Sequence, residues 1–189
     1  MDLVMQTWLT KISFSEAGED NVANKIREHL KRSITVQKLC NKFNISPKII
    51  DKLEISFMNL PGEYAETDAK KMKINKDLLK DKNFFEDNML IFVHELYHNI
   101  LRTKNLNYKK NVENPANEST SEQQENYFDD PEEVAGFILS ISYLIEKGYD
   151  MKHIYAKIYP KIEFHFAEKD KAVLFFKKLY QKANRFLHN

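Results

Sequence analysis

The sequence predicts an α+β fold that is mostly helical, with a small β-sheet packed on one central helix. Most of the chain has apolar residues at the three-to-four-residue spacing of amphipathic helices. Two short stretches, residues 55–58 and 72–74, are instead typical of strands. The unusually apolar run at residues 88–101 predicts a helix that is buried on most sides.

Length and composition favour a single domain over residues 1–189. A chain of 189 residues, 42% of them hydrophobic, can form one sizeable core. The net charge is +1, from 29 basic and 28 acidic residues, which excludes a general electrostatic attraction to nucleic acid or membrane. No apolar run approaches the ~20 residues of a membrane span. We therefore expect no membrane partner.

The single cysteine, Cys40, excludes an intrachain disulfide framework and falls on an apolar helical face, where a buried thiol is expected. Residues 1–8 lack the basic start and long apolar core of a signal peptide. Together these features predict a cytoplasmic protein.

The N-terminal part, residues 1–53, is predicted to be helical. Two amphipathic helices are expected at residues 19–31 and 34–43, and a short helix at 47–52 begins with Ser46 as its N-cap. Helix, short turn and helix is also the arrangement of a DNA-binding helix-turn-helix. Four lysines would then contact phosphates: Lys38, Lys42, Lys48 and Lys52. We favour an ordinary helical hairpin, because the segment runs straight into the first predicted strand.

The central helix is predicted over residues 84–103, and it contains the pattern His-Glu-x-x-His. Because residues four apart share one helix face, the imidazoles of His94 and His98 can bind one Zn²⁺. Glu95 lies beside them, placed to accept a proton from a zinc-bound water. The competing interpretation is a pair of core histidines with a surface glutamate. Burying these groups inside an apolar helix without a partner would be costly, and a metal supplies that partner.

Catalytic zinc usually has three protein ligands, and no third histidine follows soon after His98. The best candidate lies in a second helix, predicted over residues 131–147 with Asp130 as its N-cap. Glu133 is in the first turn of that helix. Gly136, about one turn later, would let the two helices approach closely.

Residues 105–126 join these two helices and contain almost no apolar residues, which predicts a flexible polar loop. A loop at this place would flank the site, either as a lid or as a plain connection. The C-terminal part, residues 148–189, is predicted to form helices at about 150–159 and 168–187, separated by Pro160.

Peptide hydrolysis also needs a donor that stabilises the tetrahedral oxyanion. Tyr127 and His165 are possible transition-state donors, the latter within a strand-like alternation at residues 162–166. Tyr97 and His153 are further candidates. For each of the four, we favour a packing role over a catalytic one.

At these residues the chain resembles the gluzincins, in which a His-Glu-x-x-His helix precedes a helix with a glutamate ligand. Residues 131–136 look like the Pro-x-Glu-(Ile/Val)-x-Ala pattern of small bacterial and phage gluzincins, although Gly136 replaces the usual alanine. Residues 60–64 and 73–78 also look like the ImmA/IrrE-type metallopeptidases, the nearest group. Glu132 fits a looser Glu-x-x-Ala pattern and remains an alternative ligand.

The resemblance covers roughly residues 50–145. It implies a zincin-like core at residues 54–147 that binds one Zn²⁺ per chain through His94, His98 and Glu133, with Glu95 catalytic. It also implies a zinc metallo-endopeptidase that cleaves an intracellular protein, in this group often a specific repressor. The alternative is a DNA-binding or protein-interaction regulator that uses a zincin scaffold with structural zinc.

Overall fold

The computed structural model describes residues 18–81, 83–104 and 127–189. The predicted loop at 105–126 and the first eight residues lie outside them. The mostly helical α+β class is confirmed. The helices and strands of the described residues are α1 (Glu19–Arg32), α2 (Ile34–Lys42), β1 (Glu54–Met58), β2 (Ala65–Thr67), β3 (Lys71–Asn75), α3 (Phe84–Thr103), α4 (Pro131–Glu146), α5 (Met151–Glu163) and α6 (Lys169–His188).

The three strands form a mixed sheet in the order β1-β3-β2. β1 runs parallel to β3, with Ile55 opposite Met72, and β2 runs antiparallel to β3, with Ala65 opposite Ile74. Met72 and Ile74 are fully buried, and β2 and β3 pack against α3. The sheet therefore packs on the central helix, as the sequence predicts. β2 was not predicted, because its three residues lack a periodic apolar pattern.

The helix α3 has the predicted bounds and is the centre of the molecule. More than half of its residues are buried, and α4 lies beside it. The buried Ser140 hydroxyl of α4 donates a hydrogen bond of 2.9 Å to the Leu90 carbonyl of α3. α4 also packs against α2, α5 and α6. The hydrogen bond holds the middle of α4 against the first half of α3, and Gly136, nearer the start of α4, lies against His94 in the middle of α3.

The segment after α2 does not form a second α-helix. Residues Pro47–Lys52 form a six-residue 3₁₀ helix, and β1 begins two residues after it ends. In a helix-turn-helix protein the second element is an α-helix that lies in the major groove. The short 3₁₀ helix favours the hairpin interpretation. The thiol of Cys40 is fully buried between α2 and the core, as expected.

The prediction that Pro160 separates two helices is wrong. Pro160 lies inside α5, which continues to Glu163. Proline removes the hydrogen bond to the carbonyl of Ala156, and both residues are exposed, so water can satisfy that carbonyl. The strand-like piece at residues 162–166 is likewise not a strand. Among the described residues, no helix has the length and apolar character needed to cross a membrane.

Candidate metal site and cleft

The ring nitrogens of two histidines and the oxygens of one carboxylate converge where α4 meets α3. His94 Nε2 lies 3.0 Å from His98 Nε2 and 3.2 Å from Glu133 Oε2, and His98 Nε2 lies 3.5 Å from Glu133 Oε1. One potential ligand atom from each residue lies within 4.8 Å of the others. These three residues can therefore bind a metal ion.

The distances between these nitrogen and oxygen atoms fit a metal ion with tetrahedral coordination. Zn²⁺ with bonds of about 2.0–2.1 Å keeps tetrahedral ligand atoms roughly 3.3 Å apart. The 3.0, 3.2 and 3.5 Å contacts lie around that value. Two imidazoles and one glutamate are also a donor set of catalytic zinc, which leaves one position to water. The donor set and its spacing thus suit a catalytic zinc ion.

Glu132 occupies a different place from Glu133. Its Oε2 atom lies 3.5 Å from Nδ1 of His98, the ring nitrogen opposite Nε2. Histidine ligands commonly have a carboxylate at their second nitrogen, which fixes the tautomer and the ring orientation. The geometry favours Glu133 as the ligand and gives Glu132 the supporting position.

Gly136 lets the two helices approach as closely as the sequence predicts. An added Cβ at this residue would lie 2.5 Å from Cε1 and 2.6 Å from Nδ1 of His94. Such separations are too short for carbon and nitrogen atoms that are not bonded. The ring of His94 therefore lies in the space that any larger residue would fill.

The charge of the Glu133 carboxylate is stabilised inside the protein. Burial raises its pKa, but hydrogen bonding and charge from His94, together with the charge of His98 and a hydrogen bond from Tyr127, hold it below the ordinary value. Burial lowers the pKa of His94, but Glu133 raises it above its ordinary value overall. A proton on His94 or a divalent cation can balance the carboxylate, and metal binding would displace the proton.

Tyr127 contacts the ligand set through Glu133. Its hydroxyl donates a hydrogen bond to Oε2 of Glu133. Its ring stacks on that of His165, with centroids 4.3 Å apart and planes 11° apart. The structure therefore places Tyr127 where it can orient Glu133, and both Tyr127 and His165 line the neighbouring cavity.

The other two donor candidates do not line the cavity. Tyr97 is 9% exposed and packs in the core, between Phe43 and the ring of His98, whose centroid is 5.7 Å from its own. His153 is exposed at the start of α5, with Nδ1 2.7 Å from an oxygen of Asp150. Of the four candidates, Tyr127 and His165 line the cavity.

A cavity of about 510 Å³ opens beside the ligand set. His94, Glu95 and Tyr127 line its polar part. Burial raises the pKa of Glu95 to about 7, although the charge of His94 lowers it in part. Glu95 is thus neither a surface glutamate nor part of the ligand set, and a carboxylate with a pKa near neutrality is suited to proton transfer. The apolar walls come from α3, α4, α5 and the segment after α5: Leu90, Ile91, Phe137, Ile158 and Phe164.

The remaining wall of the cavity is the segment from Gly62 to Ala65, and Asn75 holds it in place. The Asn75 side-chain nitrogen donates to the carbonyls of Leu60, at 2.8 Å, and Glu63, at 2.9 Å. Gly62 has a φ of 80°, which favours glycine in this turn. Asn75 lies within residues 73–78, which resemble the ImmA/IrrE-type metallopeptidases, but the sequence alone does not predict its hydrogen bonds to this segment.

Comparisons of the chain with family models, curated proteins and solved structures give no match.

Proposed function

We propose that this protein is a zinc-dependent metallo-endopeptidase that cleaves an intracellular protein. The observation that supports this most is the group of His94, His98 and Glu133 with Glu95 beside it at one cavity. The proposal also rests on the resemblance to ImmA/IrrE-type gluzincins at the same residues. A purely structural metal site would have no need of a buried glutamate beside its ligands.

Bound at His94, His98 and Glu133, zinc would lower the pKa of water to roughly 7 and polarise a peptide carbonyl. The protein's own contribution to proton transfer is Glu95. Its carboxylate accepts the proton of the attacking water and passes it to the nitrogen of the leaving amine. Burial raises the pKa of Glu95 and so favours its holding the proton between the two steps.

The edge strand β2 supports a peptide as the substrate. Among the described strands β2 pairs with β3 alone, which makes it an edge strand of the sheet. An extended peptide can add to such an edge through backbone hydrogen bonds. Residues 62–65, which lead into β2, line the cavity that contains His94 and Glu95. A bound peptide would therefore pass the proposed catalytic group.

Replacement of Glu95 by glutamine separates metal binding from chemistry. Glu95→Gln keeps the side-chain shape and removes the base, so zinc content and fold should be retained. Cleavage should fall by at least the ~10²–10⁴-fold typical of general acid–base catalysis. The measurement is mass spectrometry of new peptide termini, after zinc-loaded protein is incubated with peptides from a digested bacterial proteome.

The surface variant Glu28→Gln is the matched control and should cleave like the wild type, since Glu28 lies on α1 away from the cavity. Equal cleavage by Glu95→Gln and the wild type would make the proposed mechanism wrong. Absence of any zinc-dependent cleavage across the library and candidate repressors would count against the peptidase function.

A further inference from the structure

Lys161 is a basic residue of the cavity that the proposed chemistry does not use. It lies in the last turn of α5 and lines the same cavity as His94 and Glu95. The ammonium therefore lies close enough to the ligand set to affect a molecule bound there.

The Tyr64 ring is the neighbour that holds this ammonium. Lys161 Nζ lies 4.3 Å from the centroid of the ring, within the range of a cation–π interaction. This contact fixes the side chain between α5 and the segment before β2. It leaves the three N–H donors of the ammonium without an anionic acceptor, since no carboxylate among residues 18–81, 83–104 and 127–189 forms an ion pair with it. Burial lowers the pKa of Lys161, with no carboxylate acting against that effect.

We propose that Lys161 and Tyr64 form a subsite that binds a carboxylate of the substrate beside the cleaved bond. The proposal rests on the proposed peptidase function and names its substrate class. Two sources have the required chemistry. An aspartate or glutamate side chain suits an endopeptidase, whereas the C-terminal carboxylate of a peptide would place cleavage at the end of a chain. The apolar walls of the cavity strengthen the binding of a carboxylate at Lys161, because a charged hydrogen bond is stronger where water is partly excluded.

Three short peptides test the subsite and distinguish the two sources. They are acetyl-Ala-Ala-Glu-Ala-Ala-amide, the same peptide with Gln in place of Glu, and acetyl-Ala-Ala-Ala-Ala-Ala with a free C-terminal carboxylate. Dissociation constants come from NMR titration of the full chain, once with zinc and once with a chelator present. The chelator series separates binding at Lys161 from binding of the carboxylate to the metal.

The wild type should bind one of the two carboxylate peptides on the order of tenfold more tightly than the Gln peptide, with or without zinc. Lys161→Met keeps the apolar stem and should abolish that preference. Lys161→Arg keeps the charge and should retain it. Lys152→Met, an exposed position on the same helix, is the matched control and should behave like the wild type.

Equal binding of all three peptides, or no measurable binding of any, would overturn the subsite. The same holds if Lys161→Met keeps the wild-type preference. A preference that depends on Lys161, in a protein that never cleaves, supports the subsite and counts against the peptidase function. Zinc-dependent cleavage, together with a carboxylate preference that Lys161→Met leaves unchanged, supports the peptidase function and overturns the subsite.

Discussion

At the residue scale, the Tyr127 hydroxyl is placed to orient Glu133, a proposed metal ligand. It donates a hydrogen bond to Glu133, and stacking on His165 holds its ring. Tyr127→Phe removes the hydroxyl and keeps the stacking. Loss of such supporting hydrogen bonds typically weakens metal binding by 10–100-fold. We expect the zinc dissociation constant of Tyr127→Phe, measured by competition with a chromogenic chelator, to rise by about tenfold or more.

Tyr180→Phe on α6 is the control for that measurement, because the same hydroxyl is removed away from the site. Its zinc affinity should be that of the wild type. An unchanged affinity in Tyr127→Phe would mean that the hydrogen bond to Glu133 has no part in holding the metal.

Gly136 gives a second prediction at this scale. Alanine normally stabilises a helix interior by roughly 0.5–1 kcal/mol over glycine. At residue 136, however, its Cβ would lie 2.5 Å from the His94 ring, so that ring or the whole helix must move. Gly136→Ala should therefore weaken zinc binding at least tenfold. Gly18→Ala, where nothing lies within 4 Å of the added Cβ, should not. Wild-type zinc affinity in Gly136→Ala would show that α4 can move away without disturbing His94.

Some residues of the site could be predicted from sequence and others could not. His94, His98 and Glu133 follow from helix periodicity and from the start of the next helix, which are local properties. Glu132 could not be separated from Glu133 by sequence, because adjacent residues on a first turn can both face a neighbouring helix. The structure separates them by the two different nitrogens of His98 that they approach.

The contact between Lys161 and Tyr64 is a second feature that could not be predicted from the sequence. They lie almost a hundred residues apart, on α5 and before β2, and only tertiary packing brings them together. No spacing rule within one helix or strand relates such positions.

At the element scale, the buried Glu146 carboxylate links α4 to the start of α2. Its Oε2 atom accepts hydrogen bonds from the Ser33 hydroxyl, at 2.7 Å, and the Thr35 amide, at 2.8 Å. Burial raises the pKa of Glu146, but these hydrogen bonds and Lys147 lower it below the ordinary value overall. A lowered pKa in the folded state means that the carboxylate stabilises the fold above the unfolded-state pKa of about 4.3. That stabilisation is lost as the pH falls through the folded-state pKa.

We therefore expect Glu146→Gln to lower the free energy of unfolding by about 1–3 kcal/mol at neutral pH. The difference from the wild type should shrink as the pH falls below about 4, where the wild-type carboxyl becomes protonated. Urea denaturation of both proteins at several pH values measures this difference in the free energy of unfolding. Glu28→Gln, at an exposed surface pair, should change stability little at any pH. A difference for Glu146→Gln that stays constant with pH would contradict the role of its charge.

The helices were predictable because their apolar spacing and their capping residues lie within one continuous segment of the sequence. The bounds of α3 and the start of α4 follow from such signals. β2 could not be predicted in this way, because it is a strand through its hydrogen bonds to β3 and not through an apolar pattern of its own. Pro160 is compatible with α5 because the carbonyl that it leaves unpaired faces water, which depends on tertiary exposure and not on sequence.

At the scale of the whole molecule, α3 brings three distant parts of the chain to one cavity. The segment before β2, the middle of α4 and the end of α5 each contribute one wall. One continuous core includes residues of α1, α3 and α6, so the helices before and after the site support it. The proposed metal site and the cavity thus depend on packing by helices from both ends of the described chain.

The central claim is that His94, His98 and Glu133 bind one zinc ion. Zinc content after dialysis, measured by inductively coupled plasma mass spectrometry, tests it most directly. The wild type and Glu132→Ala should contain one zinc per chain, while His98→Ala and Glu133→Ala should lose the metal or bind it much more weakly, with circular dichroism showing that each is folded. Full zinc occupancy in a folded Glu133→Ala protein would contradict the claim and move the third ligand to Glu132 or elsewhere.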